Sequence, residues 1–585
     1  MCGIIGDTKG NERAVHESLA SFAYRGPDAR AFYNDKGLHL GHARLSIIDL
    51  DPRSNQPFFD AAGEVGIVFN GEIYNFKELR AELERTQNVR FRTTSDTEVL
   101  VYGYRAWGEK LLPKLRGMFA FAIYDRRDRS IFLARDHAGI KPLYYSLSGG
   151  ALRFASEQKG VVGLLRGTGE EVRIDKDALS LYPVFGYIPS PKTLVEGVAK
   201  LERGSWLRYA LDTQAVDMQR WKPETREIGS QAELEDAVRR SVLEHCIADV
   251  PVGTFFSGGV DSSLISAILQ DAGMHLETFS IRVAGRPADA PYFTEIAKRL
   301  GVKAHVADFG VKEFDGLYEE LMSKVDDPIA DTSIFPTALV SKIAAQHVKV
   351  VLSGEGGDEL FLGYPRLHAL AKMRASVARS SGLFDAALIG SPQFRGKNLL
   401  FSRVAQVSAL TTPFYLLQLS PARDLSARLG WQQAEHLLGS GAPLWFDRDW
   451  YLENMLLRKT DMATSYASIE GRVPLLGVEL WNAAPRFAEE NLADAGGKGM
   501  LRRMLAKHIP RELIDRPKSG FGISISQIFA ESSVLRRDLE SSLRDLADLG
   551  IGAEERNAEL VVNRYPVFGF GLVALSAALR NLKLL

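Results

Sequence analysis

The 585-residue sequence predicts two domains. The first, residues 2–215, is an α+β sandwich of stacked antiparallel sheets; the second, residues 230–585, is an α/β doubly wound parallel sheet with extra helices. Three observations carry this. Through the first 200 or so residues, short β-branched or aromatic runs are separated by turn residues. After residue 230, short apolar runs alternate with amphipathic helical segments. Between the two patterns, RWKPETREIGS has Pro223, Gly229 and clustered charge, the composition of a linker.

The N-terminal strands are read in GIVFN, FAFAIYD, SIFLARD, PLYYSL and ALRFASE, each bounded by Gly, Asp, Asn or Pro. NFKELRAELERT is helical, with Phe76, Leu79 and Leu83 on one face. Past the linker, QAELEDAVRRSVLEHCIAD is amphipathic through Leu234, Val238 and Val242. The strands VPVGTFFSGG, ETFSIRV, KAHVADF and VKVVLSGEGG then alternate with helices in DSSLISAILQDAG and YFTEIAKRLG. From about residue 366 the pattern is mainly helical. PVFGFGLVALSAAL is too short to span a bilayer and reads as a buried terminal helix.

Bulk properties narrow the function class. A formal net charge of −1 gives no global attraction to nucleic acid or anionic membrane. Two cysteines make no disulfide framework, and a reducing compartment fits them. No charged n-region precedes an apolar segment at the start, so no signal peptide is expected and the cytoplasm is. The expected partners are small molecules, and a homodimer is compatible with the sequence.

VGTFFSGGVDSSLISAIL runs an apolar strand into Ser257-Gly258-Gly259 and starts a helix near Asp261-Ser262-Ser263. Glycines let backbone approach an anion, and a helix N-terminus offers it unpaired N–H groups. Asp261 would repel a phosphate unless a cation intervenes, so its presence predicts Mg²⁺. A plain strand-to-helix turn with a Ser/Asp cap is the simpler alternative, but SGGVDSS is more specific than that. It resembles the pyrophosphate loop of ATP-pyrophosphatases and is not a Walker A loop, since no G-K-[ST] follows. A second buried strand, Val348 to Leu352, ends in Ser353-Gly354-Glu355-Gly356-Gly357-Asp358-Glu359. Ligands bind at the carboxyl ends of such strands. Both loops then share one edge, and Asp261 and Asp358 share a Mg²⁺–pyrophosphate.

Cys2 stands directly after Met1. Taken alone it is a small hydrophobe opening a first strand. If Met1 is removed, the same residue carries a nucleophilic thiol and an α-amine that titrates near pH ~8. MCGIIG is followed in order by YRGPDA, GHARLSIIDL, FNGEIYNF, TTSDTEVL, GMFAFAIYD and LARDHAGIKPLYY. This series resembles the glutaminase domain of class II glutamine amidotransferases, a fold of the N-terminal nucleophile hydrolase type. With SGGVDSS and SGEGGDELF behind it, the chain resembles the glutamine-hydrolysing asparagine synthetases from residue 2 to roughly residue 525.

The resemblance implies roles. Cys2 attacks the glutamine side-chain amide; Asn70 and Gly71 form the oxyanion hole. Arg44 grips the α-carboxylate, Glu72 and Asp96 take the α-amine, and the glutamine site extends over Leu45, Ser46, Ile47 and Ile48. ATP lies between Ser257, Gly258, Gly259, Asp261 and Ser262 on one side and Ser353 and Gly354 on the other. Phe256 and Ile281 flank its adenine, Phe256 where leucine is usual. Glu355 assists acyl-adenylate formation, and Lys498, in GKGMLRR, stabilises the carboxyl being activated. Asp461, Glu470 and Arg472 belong to a signature segment that closes the domain. The chemistry also implies a closed path that carries NH₃ between the sites. Three departures, ATSYAS, Gly477 and Leu362, fall where the acceptor is expected to bind. Aspartate is the first acceptor implied. A sugar acid or a cell-wall peptide is the alternative, while β-lactam synthetases generally lack the cysteine that Cys2 supplies.

Overall fold

The computed structural model describes residues 1–284, 290–365, 367, 447–494, 496–515, 524–551 and 557–585. The region predicted as mainly helical from about residue 366 lies outside the described residues as far as 446, apart from residue 367.

The N-terminal half builds two six-stranded sheets whose pairings are all antiparallel. The strands are Gly3–Asp7 (β1), Ala29–Asp35 (β2), Leu38–Arg44 (β3), Phe58–Phe59 (β4), Val65–Ile73 (β5), Gly117–Asp125 (β6), Ser130–Arg135 (β7), Tyr144–Ser148 (β8), Ala151–Ala155 (β9), Val198–Lys200 (β10), Ser205–Ala210 (β11) and Val216–Arg220 (β12). One sheet has the order β10-β8-β9-β1-β3-β2, the other β12-β11-β7-β6-β5-β4. Alternation along the strands sends Ile4, Leu40, Val68, Ala120, Ala122, Leu133, Phe154 and Leu207 into one apolar layer between the sheets. The outer face of the first sheet carries the helices Glu12–Ala20 and Gln158–Gly167, and that of the second Phe76–Gln87 and Asp96–Trp107. The result is four layers, helix–sheet–sheet–helix. β1 is buried throughout, so the residue that precedes it leads straight into the core.

The linker begins later than its composition suggests. Trp221 is buried against Phe119, with ring centroids 5.7 Å apart, and its indole N–H donates to Arg135 O at 3.2 Å. The next domain starts at a capping box, where the Ser230 and Glu233 side chains each take a backbone N–H of the other at the head of the helix Gln231–Glu244.

The C-terminal sheet is parallel: Val252–Phe255 (β13), Glu277–Val283 (β14), Ala304–Phe309 (β15), Val350–Leu352 (β16) and Glu470–Arg472 (β17), in the order β15-β14-β13-β16-β17. The chain order reverses between β13 and β16, which is where open α/β sheets bind ligands. β16 is shorter than its apolar run because Val348 N donates to Ala344 O, closing the preceding helix instead. β17 lies in a region the sequence reads as helical. The last helix, Pro566–Asn581, is buried as expected. Among the described residues no helix is long and apolar enough to cross a membrane.

Candidate functional site

The first cluster surrounds Cys2. Its thiol lies 3.8 Å from Leu45 O, and Arg25 Nε donates to Cys2 O at 3.0 Å. Burial pushes the thiol pKa up, so a neutral thiol is the resting form and a base must take its proton. Met1 is buried beside it. The Met1 sulfur accepts from Lys141 Nζ at 2.8 Å, and burial drops the terminal amine to about 5.

Asn70, Glu72 and Tyr74 follow one another with period two, which puts their side chains on the same side of the extended chain. Asn70 is fully buried, yet neither its Oδ1 nor its Nδ2 has a hydrogen-bond partner among the described residues. A buried amide left open on both ends is costly unless a ligand completes it. Gly71 sits opposite Phe119 in the β5–β6 ladder, where a Cβ would lie 2.1 Å from Met118 O, so only glycine fits.

Glu72 has one oxygen, Oε2, on Arg472 Nη2 at 2.8 Å, while Oε1 is buried with no partner among the described residues. Asp96 faces it within hydrogen-bonding range and takes Ile73 N at 3.1 Å. Burial and the Asp96 charge push Glu72 well above the usual carboxylate range, and burial raises Asp96 to about 6. Two desolvated carboxyl groups with an open oxygen form a seat for a cation. Asp96 is the first residue of its helix, which Ser95 caps.

Arg44 is buried and already engaged. Its Nη1 donates to Asp51 O and Asn55 Oδ1, and its Nη2 to Ile48 O and Asp49 O. These bonds shape the 45–55 loop. Ser46 N donates to Asp28 Oδ2 at 2.7 Å, and Ile47 O accepts from Asp249 N at 2.9 Å, so the loop also touches the turn before β13.

The second cluster lies at the carboxyl ends of β13 and β16. Ser257 Oγ is 3.0 Å from Ser262 Oγ, and Gly259 N donates to Ser257 Oγ at 3.3 Å. Gly259 begins the helix Val260–Asp271 without a side-chain cap, which leaves its first N–H groups facing the loop. Gly354 and Gly357 let the second loop close on the first: a Cβ at Gly354 would lie 2.8 Å from the Asp261 Cβ, and one at Gly357 would lie 2.4 Å from Asp261 Oδ1. Lys498 Nζ reaches Asp261 Oδ2 at 2.5 Å and Asp358 Oδ1 at 2.9 Å, and these charges raise its pKa against the opposing effect of burial. Lys498 holds φ +57, an uncommon conformation for a residue with a side chain. Phe256 is buried against Phe293, and Ile281 is half-buried on β14.

Among the described residues no group of three or more His, Cys, Asp or Glu is placed to hold a metal ion alone. The donor set nevertheless suits Mg²⁺, because Asp261 and Asp358 already converge on one cation and Mg²⁺ takes one or two carboxylates plus phosphate oxygens.

Several contacts here escape motif reading. Glu355 Oε1 meets Lys459 Nζ at 3.1 Å and Thr460 Oγ1 at 3.4 Å. The only sequence signal for Lys459 is its place two residues before Asp461. Asp461 itself turns away to form a two-point pair with Arg25, at 2.8 and 2.9 Å. Of the three departures, Gly477 packs on the helix Gln231–Glu244, where a Cβ would lie 2.4 Å from Ser241 Oγ. Leu362 is fully buried, and Ser465 bonds back to Asp461 O. All three sit at packing positions.

A glutamine amidotransferase domain model matches residues 1–222 and an asparagine synthase model matches residues 233–564, which defines the class: a glutamine amidotransferase domain joined to an asparagine synthase domain. The glutamine-hydrolysing asparagine synthetase 1 of Bacillus subtilis (strain 168) is 32% identical over 558 residues, covering 90% of this chain and 87% of that one. A putative glutamine-hydrolysing asparagine synthetase of Mycobacterium tuberculosis (strain ATCC 25618 / H37Rv) is 33% identical over 561 residues, 88% of this chain and 84% of that one. The chain belongs to the glutamine-hydrolysing asparagine synthetase family.

Proposed function

We propose that this protein makes asparagine from aspartate in the cytoplasm, with glutamine as nitrogen donor and ATP as activator. The observation that carries the reading is the open buried amide of Asn70 beside the open oxygen of Glu72, on the strand that neighbours Cys2. Cys2 Sγ attacks the amide carbon of glutamine. Charge then develops on the amide oxygen, where Asn70 Nδ2 and the Gly71 N–H receive it. Collapse releases ammonia and leaves a thioester on Cys2, which water hydrolyses to glutamate. The proton leaves the thiol to the Cys2 α-amine once Met1 is gone. Glu72 and Asp96 hold the α-ammonium, and the Arg44 loop holds the α-carboxylate.

In the other half, an aspartate carboxylate oxygen attacks the α-phosphorus of ATP. The bond to pyrophosphate breaks, and ammonia displaces AMP from the acyl-adenylate. Asp261 and Asp358 would hold Mg²⁺, which supplies charge neutralisation to the pyrophosphate. Lys498 supports the same charge, the 257–262 and 353–354 backbones seat the phosphates, and Glu355, oriented by Lys459, faces the acceptor. The test is incubation with glutamine, Mg-ATP and aspartate, reading asparagine, AMP and pyrophosphate. Matching asparagine and AMP supports the reading. Glutamine hydrolysis with no aspartate-dependent AMP rejects aspartate and favours a sugar acid or a cell-wall peptide.

Binding of glutamine carries a pH signature. The α-ammonium needs an ionised carboxylate, and Asp96, raised by burial to about 6, is the one of the pair that ionises first. Below that pH Asp96 is protonated and its attraction is lost. The KM for glutamine is therefore expected to rise as pH falls through about 6, by up to tenfold per unit. A KM flat from pH 5 to 8 would remove Asp96 from this role.

A further inference from the structure

We propose that Arg472, from the synthetase half, is a positioning residue for the glutaminase half: it holds Glu72 in place for the α-ammonium of glutamine and ties that seat to the 353–356 loop. The proposal rests on the assignment of Glu72 in the preceding reading.

Arg472 is fully buried, and its guanidinium is spent on fixed partners. Nε donates to Glu470 Oε1 at 2.8 Å, Nη1 to His245 O at 2.8 Å and Ile247 O at 2.6 Å, and Nη2 to Glu72 Oε2 at 2.8 Å. The plane also lies 5.6 Å from the Tyr74 ring centre. A planar fork pinned on both sides fixes the direction of the carboxylate it holds. Thus Glu72 Oε1, the open oxygen, is aimed by a residue 400 positions away in the chain.

The same residue reaches the nucleotide loop through its backbone. Arg472 lies opposite Leu352 in the β16–β17 pairing, and its carbonyl accepts from Ser353 N at 2.8 Å. Ser353 opens the loop that closes on Asp261. A ligand that shifts the end of β16 therefore shifts the guanidinium against Glu72. By linkage, glutamine at Glu72 biases the loop to the same extent.

The groups facing Glu72 are Asp96 from its helix, Tyr74 from the end of its own strand, and Arg472 and Glu470 from β17. Arg472 is the cation in that set. Without it, three carboxyl groups crowd together with no cation among them, and the proton affinity of Glu72, already raised by burial and Asp96, rises further.

The test uses the full chain, with glutamate release as the glutaminase assay and ammonia-dependent synthesis as a check on the other half. Arg472→Gln is expected to raise the KM for glutamine about tenfold or more while kcat stays within about threefold. The pH midpoint of glutaminase kcat/KM should move up by about one unit. Arg472→Lys, which keeps the charge but not the fork, should recover part of the KM and most of the pH midpoint. In the unsubstituted protein, saturating Mg-ATP and aspartate should shift the glutamine KM, and Arg472→Gln should remove that shift. If Arg472→Gln does not fold by circular dichroism, Arg472→Lys decides: a raised KM with kcat retained supports the proposal, and an unchanged KM overturns it. No KM shift on adding Mg-ATP and aspartate to the unsubstituted protein overturns the tie to the loop. Glu72→Gln separates the two levels. If it leaves KM unchanged, the seat itself is misassigned; if it raises KM and the Arg472 variants do not, only the role of Arg472 fails.

Discussion

Replacing Cys2 with alanine is expected to lower glutamine-dependent synthesis by at least about 10³-fold, because the proposed thioester forms on its sulfur. Ammonia-dependent synthesis should stay within about twofold, since the change removes one sulfur atom from a residue that contacts Leu45 O and Arg25. The split is read by running both nitrogen sources side by side and following asparagine and AMP. Equal losses would mean that Cys2 holds the domains together rather than cutting glutamine. A companion measurement is the intact mass of active protein. The α-amine serves as base only when free, so the active form should begin at Cys2. Met1 retained on fully active protein would overturn that assignment, because the base would then be an amide nitrogen. The Met1 sulfur now sits on Lys141, so processing also frees space beside that lysine.

The opposite split is expected for Lys498→Ala. Lys498 is buried, left-handed in its backbone, and the point where Asp261 and Asp358 meet. Removing it leaves two carboxylates facing the pyrophosphate with one cation fewer. A preorganised charge of this kind contributes roughly 10²–10³ in rate. Synthesis should fall by that factor with either nitrogen source, while glutaminase turnover without ATP stays close to that of the unsubstituted protein. Arginine should not rescue it, since its planar fork does not fit a compact seat between two carboxylates. Aspartate-dependent pyrophosphate release gives the readout. Unimpaired release with glutaminase lost would remove Lys498 from the nucleotide site.

Much of both sites was legible in the sequence because their parts are local. Cys2, Asn70-Gly71-Glu72 and the two glycine-rich loops are short motifs, lying just before β1, near the end of β5 and just after β13 and β16. The strands themselves were legible as short β-branched and aromatic runs, from GIVFN in β5 to ETFSIRV in β14. What could not be read is what the fold brings together across distance. β17 has only three residues, Glu-Gly-Arg, with no apolar pattern; its strand character comes from pairing with β16. Nothing in the sequence shows that the 48–55 loop wraps Arg44. Asp461 and Glu355 sit in separate motifs, and only the structure shows that neighbouring residues of one helix turn divide between them: Lys459 to Glu355, Asp461 to Arg25.

The Arg25–Asp461 pair bears on how this enzyme can be taken apart. Arg25 is fully enclosed, with Cys2 O, Glu157 and Asp461 around it, and Arg458 joins Asp461 to Asp326 behind. Cutting the chain in the 222–229 segment would not yield two interchangeable modules. Separated, each half would lose one partner of a shared network: Arg25 would keep Glu157 but lose Asp461, and Asp461 would keep Arg458 but lose Arg25. A chimera that grafts this glutaminase onto a foreign synthetase must therefore bring an aspartate to the place of Asp461, or retire Arg25 with it. The unit of exchange in such a protein is the seam, not the domain.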